Sequence, residues 1–88
     1  MMTIKNTINC FPCTRGIDTI RLYICNRNGN ITVREFDVDQ RESLWWNFRN
    51  ANFSYEFLDK FSDVRDFEFR IEGESIVLEI QVNNLKSF

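Results

Sequence analysis

Residues 66–82, DFEFRIEGESIVLEIQV, alternate apolar with charged or polar side chains on both sides of Gly73-Glu74. Such alternation is typical of strands that bury one face, and a turn at Gly73-Glu74 joins the two runs as an antiparallel hairpin. A turn centred on Gly73-Glu74 places the apolar side chains of both runs on one face of the hairpin, so that they can be buried together. The predicted opposite pairs are Ile71 with Ile76, Phe69 with Leu78, Phe67 with Ile80 and, on the other face, Glu68 with Glu79.

Residues 17–38 predict a second hairpin, because Asn28-Gly29 is a strong turn signal between two alternating runs. A turn centred on these two residues places Ile24 opposite Val33. A β-bulge at Arg34-Glu35 is then needed to keep the Glu35 carboxylate out of the core. The outer face of this hairpin is predicted to carry Arg21, Tyr23 and Arg34.

Residues 40–61 have helical periodicity and follow a capping box formed by Asp39 and Glu42, which places the helix start near Gln40. A single continuous helix would carry apolar stripes on opposite sides, and a surface helix of a small domain cannot easily bury both. A break at Asn50-Ala51-Asn52 is therefore favoured, with a helix on each side of it, over residues 40–50 and 53–61. In the alternative, a continuous helix offers its second stripe to a partner, and that stripe is Trp46, Phe53 and Phe57.

The predicted order of elements is ββααββ in a single domain that spans residues 1–88. Residues 1–16 fit a short edge strand or a poorly ordered arm. Nine Phe, two Trp and two Tyr supply enough large side chains for one core. We therefore predict an α+β fold, in which a small antiparallel sheet of two β-hairpins has one or two helices packed on one face.

The charge of the chain is unevenly distributed, because twelve of its thirteen acidic residues lie at or after Glu35. Residues 1–34 carry a formal charge of +4 and residues 35–88 a formal charge of −6. An acidic surface speeds association with a cationic partner and disfavours wrong partners. The alternative is an ordinary solvated face whose acidic residues serve solubility.

The sequence offers little for hydrolytic or transfer chemistry. It contains no histidine, the commonest general base and metal ligand, and no Gly-rich phosphate loop. Cys10 and Cys13 form a Cys-x-x-Cys motif, but three cysteines without histidine cannot complete a common zinc site from this chain's thiols alone. We expect no catalysis, no cofactor and no metal. A redox or metal role for the Cys10/Cys13 pair is the minor alternative to incidental spacing.

The N-terminal residues lack the apolar segment of a signal peptide, and no apolar run approaches the about 20 residues that span a bilayer. We therefore expect a cytoplasmic protein with reduced thiols and no membrane association.

Together, the acidic second half and the large aromatic residues predict a binding protein that occupies and neutralises a basic partner, most plausibly a toxin nuclease or another nucleic-acid-handling effector. In size and character the chain resembles single-domain bacterial immunity proteins, antitoxins and phage-borne inhibitors. The predicted charged contacts are Asp59, Asp63, Asp66, Glu68, Glu72 and Glu79, and the predicted apolar anchors are Trp46 and Phe57.

Other functions remain open at this stage. A phage-type inhibitor of a nucleic-acid-handling defence complex would use the same acidic chemistry. A single-stranded nucleic-acid-binding module would use the basic and aromatic residues of the first hairpin, although the sequence pI of about 5.0 opposes it. A homo-oligomer would pair the second aromatic stripe, or a sheet edge, with its own copy. The basic residues of the nucleic-acid hypothesis are Arg15, Arg21, Arg27 and Arg34, beside Tyr23.

Overall fold

The computed structural model describes residues 1–11, 14 and 16–86. The α+β class is confirmed, but a helix precedes the first strand, so the predicted ββααββ order is wrong. In chain order the elements are helix α1 (Ile4–Ile8), strands β1 (Thr19–Cys25) and β2 (Ile31–Asp37), helix α2 (Leu44–Asn50), a π-helical turn (Phe57–Phe61), and strands β3 (Ser62–Glu72) and β4 (Ser75–Asn84).

Helix α1 forms where we predicted an edge strand or an arm. Its start is a capping box, in which the Thr3 hydroxyl accepts a hydrogen bond from the Asn6 N–H (3.1 Å) and the Asn6 side chain accepts one from the Thr3 N–H (3.2 Å). Ile4 and Ile8 lie one turn apart and are both buried. The Ile4 N–H donates to the Ser62 hydroxyl at 2.9 Å, which fastens α1 to the start of β3.

The four strands form one sheet in the order β2-β1-β4-β3. Each hairpin is antiparallel, but β1 and β4 pair in parallel, so the sheet is mixed and the prediction of an antiparallel sheet is wrong. The helical connection between the hairpins crosses one face and allows the second hairpin to align β4 with β1. This order places the two most apolar strands at the centre and the more highly charged strands at the edges.

The register predicted for the second hairpin is confirmed, including Phe69 opposite Leu78 and Glu68 opposite Glu79. Gly73 has φ +62° at the first central position of the two-residue turn, a conformation that glycine adopts without strain. Local sequence therefore sets this register.

The register predicted for the first hairpin is wrong by one residue, and β2 has no bulge. Ile24 faces Thr32 instead of Val33, because the turn contains three residues instead of two. The Asn26 N–H donates to the Asn30 carbonyl (2.8 Å), and Gly29 closes the turn with φ +89°. As a result Arg34 lies on the helical side, while the exposed apolar side chains of Ile31 and Val33 lie on the other face. The only register shift between paired strands of the described residues lies in β3, between Val64 and Asp66.

The predicted break in the helical segment is confirmed, since α2 ends at Asn50 and Asn52 has a left-handed φ of +71°. The predicted start near Gln40 is wrong. Ser43 is the N-cap, and its hydroxyl accepts a hydrogen bond from the Trp46 N–H at 3.2 Å. The Asn47 side chain accepts from the Asp39 N–H (2.7 Å) and donates to the Ser43 carbonyl (2.8 Å), which holds the preceding residues in a turn.

All helical segments pack on the same face of the sheet, where they enclose the core. We call the opposite face, which carries no described helix, the outer face. No helix in the described part of the chain is long and apolar enough to cross a membrane. The buried core comprises Ile4, Ile8, Ile17, Ile20, Leu22, Ile24, Leu44, Phe48, Phe53, Leu58, Leu78, Ile80 and Val82.

Candidate functional site

The outer face is the candidate site, because it is the large surface that the helices leave uncovered. The strand registers bring seven carboxylates and three guanidinium groups to it, a formal charge of −4. The acidic residues are Glu35, Asp37, Asp63, Asp66, Glu68, Glu72 and Glu79, and the basic ones are Arg21, Arg65 and Arg70.

Arg21 on β1 is the centre of the outer face, and its guanidinium joins carboxylates from the other three strands. Its Nε donates to Glu35 at 2.7 Å, and its Nη1 donates to Glu79 at 2.9 Å. Glu72 accepts two hydrogen bonds, from Nη1 at 2.7 Å and from Nη2 at 2.9 Å. Such a bidentate arrangement fixes both the position and the orientation of the partners. The guanidinium therefore ties the two hairpins together on the solvent side of the sheet.

Glu79 lies beneath this network and is only 5% exposed. Its carboxylate accepts hydrogen bonds from Arg21, from the Tyr23 hydroxyl (2.8 Å) and from Arg70 (3.3 Å). Burial favours a higher pKa for Glu79, but the hydrogen bonds from these three groups outweigh burial and hold its pKa below the ordinary value. The hydrogen bond to Glu79, together with burial, raises the pKa of Tyr23. Glu79 is therefore an ionised anchor of the network, and its carboxylate is buried beneath Arg21, whereas a charged contact with a partner would require it to project into water.

The other acidic residues of the predicted site are distributed unequally. Asp66 and Glu68 are exposed on the outer face, and no cation of the described chain forms an ion pair with either. Hydrogen bonds from Arg21 lower the pKa of Glu72. Asp63 pairs with Arg65 on the same strand at 3.2 Å. Asp59 belongs to the helical side, where it pairs with Lys5 at 3.6 Å.

The predicted apolar anchors do not share a surface with the acidic residues. Trp46 is 53% exposed on α2, while Phe57 is half-buried and stacks on the buried Phe53 ring at a centroid distance of 5.9 Å. All three belong to the helical layer, so a single flat partner cannot contact them and the outer face together. The apolar side chains beside the acidic residues are instead Ile31 and Val33.

Two acidic residues of the outer face were missing from the prediction. Glu35 and Asp37 alternate with core-side residues of β2 in the observed register, which places Glu35 directly opposite Arg21. The assumed bulge also kept Glu35 out of the core but did not predict this pairing. The signal that identifies them is the three-residue turn at residues 27–29, because it removes the need for a bulge.

A groove of about 420 Å³ crosses the outer face above β4. It lies between Tyr23 on β1 and the side chains of Glu68 and Arg70 on β3. Ile31 contributes an apolar wall at one end. The outer face is therefore concave at this point, with a volume large enough for a side chain.

The basic and aromatic patch of the nucleic-acid hypothesis is not assembled. Arg21 is occupied by three carboxylates, and Arg34 lies on the helical side, where it donates to the Ala51 carbonyl at 2.7 Å. The Arg34 guanidinium also lies 4.5 Å from the centre of the Phe53 ring. Arg15 is outside the described residues.

The Cys10/Cys13 motif is only partly visible, since Cys13 lies outside the described residues. Cys10 is exposed and lies just beyond the C-terminal end of α1. Redox-active motifs of this kind place the first cysteine at a helix N-terminus, which is the opposite end. Within residues 1–11, 14 and 16–86, no group of three or more His, Cys, Asp or Glu residues is arranged to hold a metal ion.

Replacing Arg21 with methionine is expected to change how stability depends on pH. Because the folded-state pKa values of Glu72 and Glu79 lie below 4.5, their contribution is present above pH 4.5 and is lost as the pH falls through those values. Urea unfolding between about pH 3 and 6 should therefore show a smaller acid-induced loss of stability in Arg21→Met than in the wild type. Lys60→Met is the control with the same charge change at an exposed site. Equal pH slopes for Arg21→Met and wild type would contradict this role of Arg21.

The outer face is thus an anionic surface whose central carboxylates are held in place by Arg21. Its apolar margin on β2 consists of the exposed side chains of Ile31 and Val33. Comparison of the chain with protein-family models, with curated proteins and with solved structures found no match.

Proposed function

We propose that this protein is a non-catalytic inhibitor that binds a basic protein through its outer face, in the manner of immunity proteins and antitoxins that neutralise a toxin nuclease. The observation that carries the proposal is the uncovered face with seven carboxylates against three guanidinium groups. A surface of this kind attracts a cationic surface and orients it before contact. A phage-type inhibitor of a nucleic-acid-handling defence complex is an alternative that uses the same face.

The outer face divides into residues that hold its shape and residues that contact the partner. Glu79 and Arg21 belong to the first group, because their charges are satisfied within the network. Asp66 and Glu68 belong to the second group, because both are exposed on β3. Because the strand already orders the backbone of these residues, binding requires no ordering of the backbone there, which favours affinity.

The margin of β2 supplies the apolar part of the proposed contact. Ile31 and Val33 are exposed beside the acidic residues, and Tyr23 lines the groove next to them. Partly apolar contacts surrounded by polar residues are typical of protein interfaces. We therefore propose Ile31, Val33 and Tyr23 as the apolar contacts, in place of the predicted anchors Trp46 and Phe57.

The proposal predicts that charge reversal on the outer face strongly reduces capture of the partner. The double variant Asp66→Lys/Glu68→Lys should recover at least about tenfold less partner from extracts of the native host, and its association rate should depend less on salt. Quantitative mass spectrometry of captured proteins at low and high salt measures the first effect, and association kinetics with the identified partner measure the second.

The matched control is Glu42→Lys/Glu56→Lys, which changes the net charge equally at exposed positions outside the outer face. This variant should capture the partner as the wild type does. Equal losses in both double variants would show that net charge alone matters and would refute a specific acidic face. Micromolar binding of the purified protein to a labelled single-stranded oligonucleotide at low salt would favour the nucleic-acid hypothesis instead.

A further inference from the structure

The edge of β3 is a second exposed surface beyond Val64, whose N–H donates to the Met2 carbonyl at 2.7 Å. The proposed inhibitor function shares only Asp66 and Glu68 with this edge. β3 is the last strand in the sheet order, and it presents Phe67, Phe69 and Ile71 on the helical side with exposures of 39%, 51% and 80%. The Phe11 ring packs edge-on against both phenylalanines, at centroid distances of 5.6 and 5.8 Å, but leaves them exposed. An apolar edge strand of this length is a template for pairing with another strand.

The backbone of the same three residues points toward the free edge. In a hairpin with a two-residue turn the closing pair, here Glu72 and Ser75, is hydrogen-bonded, and such pairs alternate along the strands. The N–H and C=O groups of Glu72, Arg70 and Glu68 are therefore directed at β4. Those of Phe67, Phe69 and Ile71 are directed outward, where the Phe67 N–H donates to the Asp66 carboxylate at 2.9 Å, a contact that strand pairing replaces. Side chains and backbone thus offer the same segment to a partner strand.

We propose that β3 pairs antiparallel with β3 of a second copy, across a two-fold axis at Phe69, so that the two sheets become continuous. Phe69 then faces Phe69 of the second copy, and Phe67 faces Ile71. On the outer face Glu68 lies opposite Arg70 of the second copy, and the symmetry repeats this pair. About six backbone hydrogen bonds join the two edges over residues 67–71.

Charge complementarity selects the occupant, and charge together with backbone geometry selects the register. An axis at Glu68 would pair Arg70 with Asp66, but it would place Glu68 opposite itself and Ile71 opposite Arg65, at the register shift that interrupts the backbone alternation of β3. An axis at Arg70 would place Arg70 opposite itself and Glu68 opposite Glu72. Like charges directly opposite destabilise strand pairing, whereas opposite charges stabilise it. The axis at Phe69 also brings Asp66 opposite Glu72, where the bidentate contact with Arg21 holds the Glu72 carboxylate and reduces the repulsion.

Sedimentation velocity of the purified protein, over about two decades of micromolar concentration, tests the dimer. The variants Glu68→Arg and Arg70→Glu each replace two attractive pairs with two like-charge pairs, and each should raise the dimer Kd by about tenfold. The double variant Glu68→Arg/Arg70→Glu restores opposite charges across the axis and should return the Kd to within about threefold of the wild type. It is also tolerated within one copy, because Arg at position 68 lies opposite Glu79.

Phe69→Lys is a further variant, and it should be monomeric because it places a cation on the two-fold axis next to the same cation of the second copy. Trp46→Lys, at an exposed aromatic residue of the helical layer, is the matched control and should dimerise as the wild type does. A wild type that stays monomeric at all concentrations would overturn the proposal. A double variant whose dimer Kd is as high as that of the single variants would also overturn it. The inference does not rest on the inhibitor function, and partner capture by Phe69→Lys separates loss of the dimer from loss of the acidic contacts.

Discussion

The variant Glu79→Lys is expected to lose about 3 kcal/mol or more of folding free energy, although Glu79 belongs to the solvent side of the sheet. The substitution places a cation in a buried position next to Arg21 and Arg70 and removes the acceptor of the Tyr23 hydroxyl. For a domain of this size the Tm should fall by about 15 °C or more. Urea unfolding and thermal unfolding followed by circular dichroism measure both quantities.

Glu68→Lys is the matched control, because Glu68 lies directly opposite Glu79 on the same face but is exposed. Its stability should stay within about 0.5 kcal/mol of the wild type. If the two lysine variants were equally stable, Glu79 would not be the buried anchor of the network. The pair therefore distinguishes a residue that holds the outer face in shape from one that is available to a partner.

The variant Phe48→Ala should destabilise the protein by about 3–5 kcal/mol, since it opens a cavity between α2 and the sheet. Phe48 is completely buried, and its ring contacts those of Phe36 and Phe53 at centroid distances of 5.3 and 5.8 Å. The loss of an interior aromatic side chain removes both its transfer free energy and its packing contacts. The free energy of unfolding from urea titration measures the effect.

Trp46→Ala, two residues earlier on the same helix, is the control for this change. Its side chain is 53% exposed, and the expected effect on stability is within about 0.5 kcal/mol. Under the proposed function this variant also captures the partner normally, because Trp46 lies in the helical layer. A loss of capture in Trp46→Ala with intact stability would restore Trp46 as an anchor and move the binding surface to the helices.

The fold was predictable wherever neighbours in sequence set the geometry. Gly73 and the regular alternation on both sides of it were sufficient for the register of the second hairpin, which the structure confirms. The first hairpin shows the limit of this reasoning, because Asn28-Gly29 is compatible with both a two-residue and a three-residue turn. The difference of one residue moved Arg34 to the helical side and placed Glu35 on the outer face without a bulge.

The candidate site was less predictable, because its contacts join residues that are distant in sequence. Five of the six predicted acidic residues lie on the outer face, but Asp59 lies on the other side of the sheet. The sequence showed that Glu79 shares a face with Glu68 and could not show that Glu79 is buried. That burial depends on Arg21 and Tyr23, which come from the other hairpin.

The α+β class, the second hairpin and the break after Asn50 follow from the amino-acid sequence, since alternation, turn residues and caps act over a few neighbouring positions. Only the folded structure shows that β1 and β4 pair in parallel. It also shows that the acidic residues of the outer face and the aromatic residues of the helices lie on opposite sides of the sheet. These features depend on which strands of the two hairpins pair and on which face the helices cover. Burial of a shared core decides both, and no local sequence pattern specifies it. The same strand order brings carboxylates from β2, β3 and β4 to Arg21 on β1, and it leaves β3 at the edge of the sheet.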